Sequence, residues 1–381
     1  MVAKTHLPKV IHIVENLDRG AVENWLCRML AHAGARGQLV DWTFYCALGR
    51  SGAMDHQVKS LGAKIIHSPV PLGQPIAFIR ALRAALQAGG YDVMHCHHDL
   101  VSAVYMVASA NLPIRRRIVH VHNADEHLPT INTRKATLLR EPMRRICLAA
   151  DKVVGISNHT LDTFIAGRPR RQGREIVHYY GVKPEPFQST KGTRAEFRRS
   201  LGFAEDALVM LFGGRMAPEK NPEFAVDVLA ALVTREPRAV GVFAGAGSLE
   251  QAVRIRSVQL GISDRLRITG WRSDLPELMS ASDWFILPRP EAPMEGFGLA
   301  IVEAQLAGLR LLISHGVPND PLLPTAVFRR LALAEGPDVW ADNALALLGS
   351  NVPEKSEVFR CLATSPMNMD YALDDLMQLH A

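Results

Sequence analysis

The stretch WFILPRPEAPMEGFGLAIVEAQLA, residues 284–307, predicts a strand, a loop and a helix in direct succession. Trp284–Leu287 is a short apolar run of the kind that forms a buried parallel strand, and Leu299–Ala307 has a helical composition. Gly296 and Gly298, in the loop between them, let the backbone approach a ligand closely. The first N–H groups of the helix have no intrahelical acceptor, so they suit anionic oxygens. The stretch therefore predicts a β-α unit with a ligand-binding turn.

The same alternation of apolar runs and amphipathic segments extends over most of the 381 residues, which are enough for two domains. The other predicted strands are Val10–Val14, Val40–Cys46, Lys64–His67, Val93–His95, Arg117–His122, Lys152–Ile156, Leu208–Gly213, Val240–Ala244, Leu266–Ile268 and Leu309–Ile313. The alternation stops in the proline-rich segment 181–187 and then resumes. This pattern predicts two doubly wound α/β domains, residues 1–185 and 186–365, with ligands at the carboxyl ends of the strands.

Composition excludes several classes of protein. Hydrophobic residues make up 48% and charged residues 21%, as in ordinary globular proteins, and no apolar run reaches the roughly 20 residues of a membrane-spanning helix. The five cysteines are scattered and form no CxxC pair, which argues against a disulfide framework. Residues 1–15 lack the apolar region of a signal peptide. We therefore expect a cytoplasmic protein.

The net charge of +5 is unevenly distributed. Up to Glu185 there are 24 Lys and Arg against 14 Asp and Glu, and the rest of the chain has 19 against 24. A basic first half fits a solvated face, an anionic membrane surface or a nucleic acid. No nucleic-acid-binding motif accompanies the charge, so we expect no nucleic-acid partner. The excess includes Arg115, Arg116, Arg117, Arg134, Lys135, Arg140, Arg144, Arg145, Arg168, Arg170, Arg171 and Arg174.

Two cations follow the first predicted strand of the second half. The sequence FGGRMAPEKN, residues 212–221, places Arg215 and Lys220 in the loop after this strand. Two fixed cations at such a position suit a diphosphate, which they can hold and neutralise. The alternative is a simple helix start with a solvated lysine.

Two carboxylates, Glu295 and Glu303, lie on either side of the glycine-rich turn. Glu295 belongs to the loop, and Glu303 belongs to about the second turn of the following helix. Carboxylates in this arrangement can accept hydrogen bonds from vicinal sugar hydroxyls. The alternative is that these acids merely stabilise a helix N-terminus.

These motifs resemble those of the retaining glycosyltransferases often called family 4, which have the GT-B fold. Gly214-Arg215 and Lys220 match the family's Gly-Arg-x4-Lys signature, and Glu295 and Glu303 match its Glu-x7-Glu signature. The resemblance covers nearly the whole chain and is most specific in the second half. It implies two Rossmann-like domains facing a central cleft, with a final helix near Asp370–His380 that returns to the first domain, so that residues 366–381 join it.

The resemblance also implies roles for individual residues. Arg215 and Lys220 would bind the donor diphosphate and act in catalysis with Glu295. The ribose hydroxyls would be held by Glu303, and the base would lie near Trp271 and Arg272. The sugar and phosphate would be held by the segment formed by Glu295, Gly296, Phe297, Gly298 and Leu299. Trp271 could instead be a packing residue of a strand-to-helix turn.

The first half matches the family less closely. Gly20 corresponds to the glycine-rich loop after the first strand, but Ala21 stands where a second glycine is usual. His120 and His122 end a strand and share one face. The resemblance implies that a histidine here contacts the donor sugar. We favour His122 because it lies closer to the strand end, the alternative being a histidine of the core or surface.

No cofactor or metal is expected from the sequence. His95-Cys-His-His98 has adjacent side chains on opposite faces and no further ligands at metal-like spacing, which disfavours zinc. Gly245-Ala-Gly247 lacks the third glycine of a dinucleotide fingerprint. The resemblance implies hexosyl transfer with retention from a UDP-sugar, with a GDP-sugar as the alternative donor, to a glycan, lipid-linked or small-molecule acceptor. The rival hypotheses are a nucleotide-sugar epimerase and a non-catalytic subunit of an envelope-assembly complex.

Overall fold

The structure is a computed structural model that describes residues 7–18, 20–123, 133–188 and 193–381. It divides into two units, one formed by Met1–Gly181 with Met369–Ala381 and the other by Val182–Asn368. The boundary after Gly181 lies a few residues before the predicted domain boundary at position 185. The boundary after Asn368 lies a few residues after the predicted one at position 365.

The first unit contains a seven-stranded parallel sheet. Its strands are β1 Lys9–Val14, β2 Asp41–Cys46, β3 Lys64–His67, β4 Val93–Cys96, β5 Arg116–Val121, β6 Lys152–Gly155 and β7 Glu175–Val177. Their order in the sheet is β3-β2-β1-β4-β5-β6-β7, so the chain reverses its direction of travel across the sheet after β3. The helices between them are α1 Ala21–Ala35, α2 Asp55–Ser60, α3 Pro75–Gly89, α4 Ser102–Ala108, α5 Thr133–Cys147 and α6 Asn158–Phe164.

The second unit contains a six-stranded parallel sheet. Its strands are β8 Leu208–Gly213, β9 Ala239–Ala244, β10 Leu266–Gly270, β11 Trp284–Leu287, β12 Arg310–Ser314 and β13 Phe328–Leu331, in the order β10-β9-β8-β11-β12-β13. Its helices are α7 Glu185–Gln188, α8 Arg194–Ser200, α9 Pro222–Arg235, α10 Glu250–Gln259, α11 Leu275–Ala281, α12 Leu299–Ala307, α13 Gly336–Leu348 and α14 Lys355–Ala363. The last helix, α15 Met369–His380, belongs to the first unit.

Both sheets are buried on two faces. Strand β9, which has a neighbouring strand on each side, is buried at every position, and β1 is buried at every position except Lys9. Continuous apolar runs of this kind are typical of parallel strands covered by helices on both sides. The two Rossmann-like α/β units confirm the predicted fold class. None of the helices within the described ranges is both long and apolar enough to cross a lipid bilayer.

Several arginines of the basic first half bond within the first unit. Arg115 donates to the carbonyl oxygen of His380 at 3.0 Å, and Arg116 donates to that of Leu379 at 2.7 Å. These carbonyls end α15, where positive charge is favourable to the helix dipole. Part of the excess charge therefore anchors the final helix. Arg117, Arg144, Arg145, Arg168, Arg170, Arg171 and Arg174 also have partners in this unit.

Candidate active site

Three loops at the carboxyl ends of β8, β9 and β10 are joined by backbone hydrogen bonds. The N–H of Gly214 donates to the carbonyl of Ala244 at 2.9 Å, and the N–H of Gly245 donates to that of Gly270 at 2.8 Å. A Cβ on Gly245 would lie 1.9 Å from the carbonyl oxygen of Gly214, and the φ angle of Gly245 is 146°. Only glycine fits there, which explains the Gly245 motif without a dinucleotide.

Lys220 is brought to Glu295, although 75 positions separate them in the sequence. A short 3₁₀ turn, Pro218–Lys220, ends at Asn221 in the left-handed conformation and leads into α9. Lys220 Nζ donates to Glu295 Oε2 at 2.5 Å, and both side chains are largely buried. The two motifs that the sequence presents separately therefore form one site.

Arg289 is a second cation on Glu295 that the sequence analysis did not identify. Its guanidinium lies 3.2 Å from Glu295 Oε2 and also donates to the carbonyls of Pro293 and Met294. Burial alone would raise the pKa of Glu295, but the positive charges of Lys220 and Arg289 outweigh it and hold the pKa below its ordinary value. Glu295 is therefore a carboxylate at neutral pH, fixed by two cations.

The glycine-rich turn starts α12 next to this ion pair. Gly298 is the N-cap of the helix, with φ 91° and ψ 54°, and Phe297 is buried beneath the turn. A Cβ on Gly298 would lie 3.5 Å from Glu295 Cγ. The first N–H groups of α12, which begins at Leu299, are therefore close to Glu295, and such groups attract anionic oxygens.

Arg215 is the exposed cation of the site. Its side chain is 71% exposed, and its guanidinium lies 3.1 Å from Glu219. A pair this exposed is weak, because solvent screens it and two long side chains lose freedom. Arg215 can therefore exchange Glu219 for an incoming anion at little cost.

Three further predicted donor-site residues follow β10 and β11. Trp271 comes directly after β10 and is 67% exposed. Arg272 is held by Asp274, to which its Nε donates at 2.7 Å. Glu303 is half-buried on α12. Since the carboxyl ends of parallel strands meet at one edge of a sheet, all predicted donor residues of the second unit share an edge.

Gly20 and His122 belong to the first unit. Gly20 is the N-cap of α1, and a Cβ there would meet Glu23 Oε2 at 2.2 Å. Burial raises the pKa of Glu23 to about 7, and Glu15 and Asp18 also raise it, against the effect of a backbone hydrogen bond. A carboxyl group thus occupies the start of α1.

His122 is buried, and both of its ring nitrogens are in hydrogen-bond contact. Nδ1 lies 2.7 Å from the hydroxyl of Tyr180, and Nε2 lies 3.2 Å from Nδ1 of His97. The backbone N–H of His122 donates to Asp99 Oδ1 at 2.6 Å. Burial lowers the pKa of His122 to about 3, with a smaller effect from His178. The ring is therefore neutral, and Tyr180 and Asp99 position it.

Sequence comparison links both units to one family. Residues 193–321 match the family described as "Glycosyl transferases group 1", and residues 20–181 match the "Glycosyl transferase 4-like domain". A relative from Escherichia coli, the UDP-Gal:alpha-D-GlcNAc-diphosphoundecaprenol alpha-1,3-galactosyltransferase, is 33% identical over 279 residues, which cover 71% of this chain and 70% of that protein. The chain belongs to the group 1, family-4-type glycosyltransferases. The family match over residues 193–321 contains all of the predicted donor residues of the second unit.

Two further comparisons extend over almost the whole glycosyltransferase. The Bacillus subtilis protein EpsF is 25% identical over 360 residues, which cover 93% of this chain and 91% of EpsF. The crystal structure of Anabaena Alr3699/HepE in complex with UDP-glucose has a TM-score of 0.74 at 17% identity and covers 97% of this chain and 98% of that one. At this identity the structural likeness shows the GT-B fold alone.

Proposed function

We propose that this glycosyltransferase transfers a hexose, with retention of anomeric configuration, from a nucleotide diphosphate donor to a glycan, a lipid-linked sugar or a small molecule. The observation that carries the proposal is Glu295, fixed between Lys220 and Arg289 beside the start of α12. This arrangement offers an oriented carboxylate for sugar hydroxyls and N–H groups for phosphate oxygens. Arg215 adds an exposed cation at the same edge.

A uridine nucleotide is the favoured donor, with a guanosine nucleotide as the second choice. The support is indirect: the HepE structure contains UDP-glucose, and the Escherichia coli relative is named for a UDP-galactose donor and a lipid-diphosphate-linked acceptor. We propose the same chemical classes here, in the synthesis of a polysaccharide or an envelope glycan.

Retention is best explained without a covalent glycosyl-enzyme. Glu295 Oε2 is shared between two cations, which lowers its nucleophilicity. A front-face reaction, in which the departing phosphate helps to deprotonate the acceptor, needs no protein nucleophile. The negative charge that grows on the diphosphate would be stabilised by Arg215, Lys220 and the start of α12. The sequence has no Asp-x-Asp pair to hold a metal ion, so we propose metal-independent transfer.

The deciding experiment is a transfer assay in excess EDTA with labelled UDP- and GDP-sugars and a panel of acceptors, including diphosphate-linked lipids. We expect a product whose anomeric configuration, measured by NMR, equals that of the donor. Activity that disappears in EDTA and returns with magnesium or manganese would contradict metal independence. An epimer of the donor formed without acceptor would identify an epimerase, and inertness towards every nucleotide sugar, both with and without EDTA, would identify a non-catalytic subunit.

Substitution of Glu303 by glutamine should weaken nucleotide binding. The proposed charge-assisted hydrogen bonds to the ribose are worth roughly 1.5–3 kcal/mol, which corresponds to about 10–150-fold in affinity. Isothermal titration with UDP measures this change. Glu357→Gln, an exposed position on α14, is the matched control and should bind like the wild type. Equal affinities for the two variants would remove Glu303 from the site.

We also propose that α5 attaches the otherwise cytoplasmic chain to the inner face of an anionic membrane. Leu138 is 76% exposed, and Leu139 and Ile146 are exposed as well. Arg140 and Arg145 are exposed on the same helix. Apolar and basic side chains exposed together are typical of helices that lie in a membrane interface.

Leu138→Glu should therefore reduce co-sedimentation with vesicles that contain phosphatidylserine. Binding of the wild type should fall as salt is raised, because screening acts over about 8–10 Å at physiological ionic strength. Leu39→Glu is the matched control, since Leu39 is 79% exposed in the same unit but lies outside α5. If the wild type fails to sediment at low salt, the basic residues form only a solvated face.

A further inference from the structure

One face of the first sheet carries an unusual set of histidines. His12 of β1 pairs in register with His95 of β4, and His97 follows His95 at the next position on the same face. His120 and His122 have the same spacing at the end of β5. Because alternate residues of a strand point to one side and β1, β4 and β5 are neighbours, all five rings meet on that side. All are buried.

Two more histidines complete the cluster from elements that pack on this face. His178 follows β7 and has its ring centroid 5.8 Å from that of His120. His380 ends α15 and has its ring centroid 5.2 Å from that of His95. Trp25 of α1 packs against His120 at 5.3 Å. The seven rings thus form one buried histidine cluster.

Hydrogen-bond contacts arrange most of these rings into two chains. In the first, His12 Nδ1 lies 3.0 Å from His97 Nε2, and His97 Nδ1 lies 3.2 Å from His122 Nε2. In the second, His380 Nε2 lies 3.0 Å from His95 Nδ1, and His95 Nε2 lies 3.2 Å from His120 Nδ1. A neutral imidazole has one donor and one acceptor, so each chain can bond internally, and the hydroxyl of Tyr180 meets the terminal Nδ1 of His122 in the first chain.

Four buried ring nitrogens of the cluster have no hydrogen-bond partner among the residues that the structure describes: His12 Nε2, His120 Nε2, His178 Nε2 and His380 Nδ1. Buried polar atoms without a partner are uncommon and call for a ligand that satisfies them. Burial lowers the pKa of the cluster histidines at positions 12, 95, 97, 120, 122 and 380, so these rings are neutral. Neutral imidazole is the form that binds transition metals.

We propose that His97, His120 and His122 bind one divalent transition-metal ion of the zinc type, with His178 as the fourth ligand. One ring nitrogen of each of the first three lies within 4.8 Å of the other two. Tetrahedral zinc with Zn–N distances of about 2.0–2.1 Å places its nitrogens about 3.3 Å apart, close to the 3.2 Å between His97 and His122. Magnesium and calcium prefer oxygen ligands, which this cluster does not offer.

Asp375 supplies the second reason to include His178. The Nδ1 of His178 lies 2.6 Å from Asp375 Oδ2, and Nε2 of the same ring is one of the unpartnered atoms. A carboxylate that accepts from one ring nitrogen and leaves the other free is the usual outer shell of a metal-binding histidine. A closed set of four protein ligands is typical of a structural ion. We therefore assign this ion a structural role within the first unit.

The sequence disfavours zinc because the segment His95–His98 has no further ligands nearby along the chain. The structure supplies them from other elements: β5 contributes His120 and His122, and the segment after β7 contributes His178. The metal site therefore depends on strand order, which a local motif does not contain.

The test uses the full chain purified without a polyhistidine tag. We expect about one zinc ion per chain by mass spectrometry of the metal content, and saturable zinc binding to chelator-stripped protein in competition with a chelator of known affinity. His120→Gln should abolish this binding. Asp375→Asn, which keeps every ring, should weaken it by about 10–100-fold. The matched control is Asp374→Asn, whose side chain instead contacts Arg36.

Absence of both retained metal and saturable binding in the wild type would overturn the proposal, leaving a purely hydrogen-bonded cluster. Wild-type affinity in both His120→Gln and Asp375→Asn would assign the ion to another place on the chain. Should His120→Gln fail to fold, Asp375→Asn against Asp374→Asn decides alone, because neither change removes a ring from the cluster.

Discussion

Replacement of Lys220 by methionine is expected to lower turnover by about 10²–10³-fold, the usual effect of removing one group that stabilises charge in a transition state. Lys220 lies at the carboxyl end of β8 and donates to Glu295 at 2.5 Å. If it also faces the departing diphosphate, its charge matters most when the bond to the sugar breaks. The loss should then appear mainly in kcat, with a smaller change in KM.

The fold should survive this change because Glu295 keeps a partner. Arg289 still lies 3.2 Å from Glu295 Oε2, so the buried carboxylate is not left unpaired. Glu295→Ala is a poorer test, since it leaves both buried cations of this site uncompensated. Breaking a buried ion pair in this way costs about 3–5 kcal/mol of stability. Lost activity in that variant would not separate a catalytic effect from unfolding.

Steady-state kinetics with the accepted donor, together with a melting curve, measure the Lys220→Met effect. Arg254→Met is the matched control, because it removes a cation from an exposed ion pair on α10 of the same unit. Wild-type kcat in Lys220→Met would mean that the lysine only holds Glu295. Arg215 and the N–H groups at the start of α12 would then stabilise the negative charge on the departing diphosphate.

Local sequence patterns predicted five of the six strands of the second unit and the helix α12. Trp284–Leu287 and Leu299–Ala307 have the same limits in the structure as in the prediction. The two strands that were missed, Glu175–Val177 and Phe328–Leu331, lie at the free edges of their sheets. Edge strands are short and need no continuous apolar run, so periodicity does not reveal them.

The sequence predicted the residues of the candidate site better than the contacts between them. Lys220 and Glu295 were both named from motifs, but their ion pair depends on β8 and β11 being neighbours in the sheet. Arg289 stands in a proline-rich loop, where an arginine gives no periodic signal. The histidine cluster needs the order β1-β4-β5 and the return of α15 with His380. Sequence alternation assigns a face to each histidine but does not say which strands are adjacent.

Metal-free protein is expected to lose stability in its first unit as pH falls from about 6.5 towards 5. Six histidines of the buried cluster have a lowered pKa in the folded chain, with burial as the largest cause, and for His122 and His380 it is about 3. In the unfolded chain the same side chains take up protons near pH 6.5. Their contribution to stability is therefore complete above pH 6.5 and is lost as pH falls towards the folded pKa values.

Two buried acids oppose this trend. Burial raises the pKa of Glu23 to about 7 and that of Asp99 to about 6, so the folded chain binds their protons first. The stability they contribute is present at low pH and is lost as pH rises through those values. Near pH 5.5 the unfolded chain thus binds up to six extra protons and the folded chain up to two. Because of this difference of about four protons, the free energy of unfolding falls by about 5 kcal/mol for each unit by which the pH is lowered.

A domain stable by about 5–15 kcal/mol cannot withstand that slope for more than one to three pH units. Urea unfolding followed by tryptophan fluorescence, to which the buried Trp25 and Trp42 of the first unit contribute, measures the dependence in excess EDTA. His120→Phe removes one titrating ring and should reduce the slope by up to about 1.4 kcal/mol per pH unit. The exposed His56, changed to glutamine, serves as the control for the loss of a histidine outside the cluster. A free energy of unfolding that stays constant between pH 7 and 4.5 would mean that the cluster takes up protons without unfolding, for which water would have to reach rings that are fully buried.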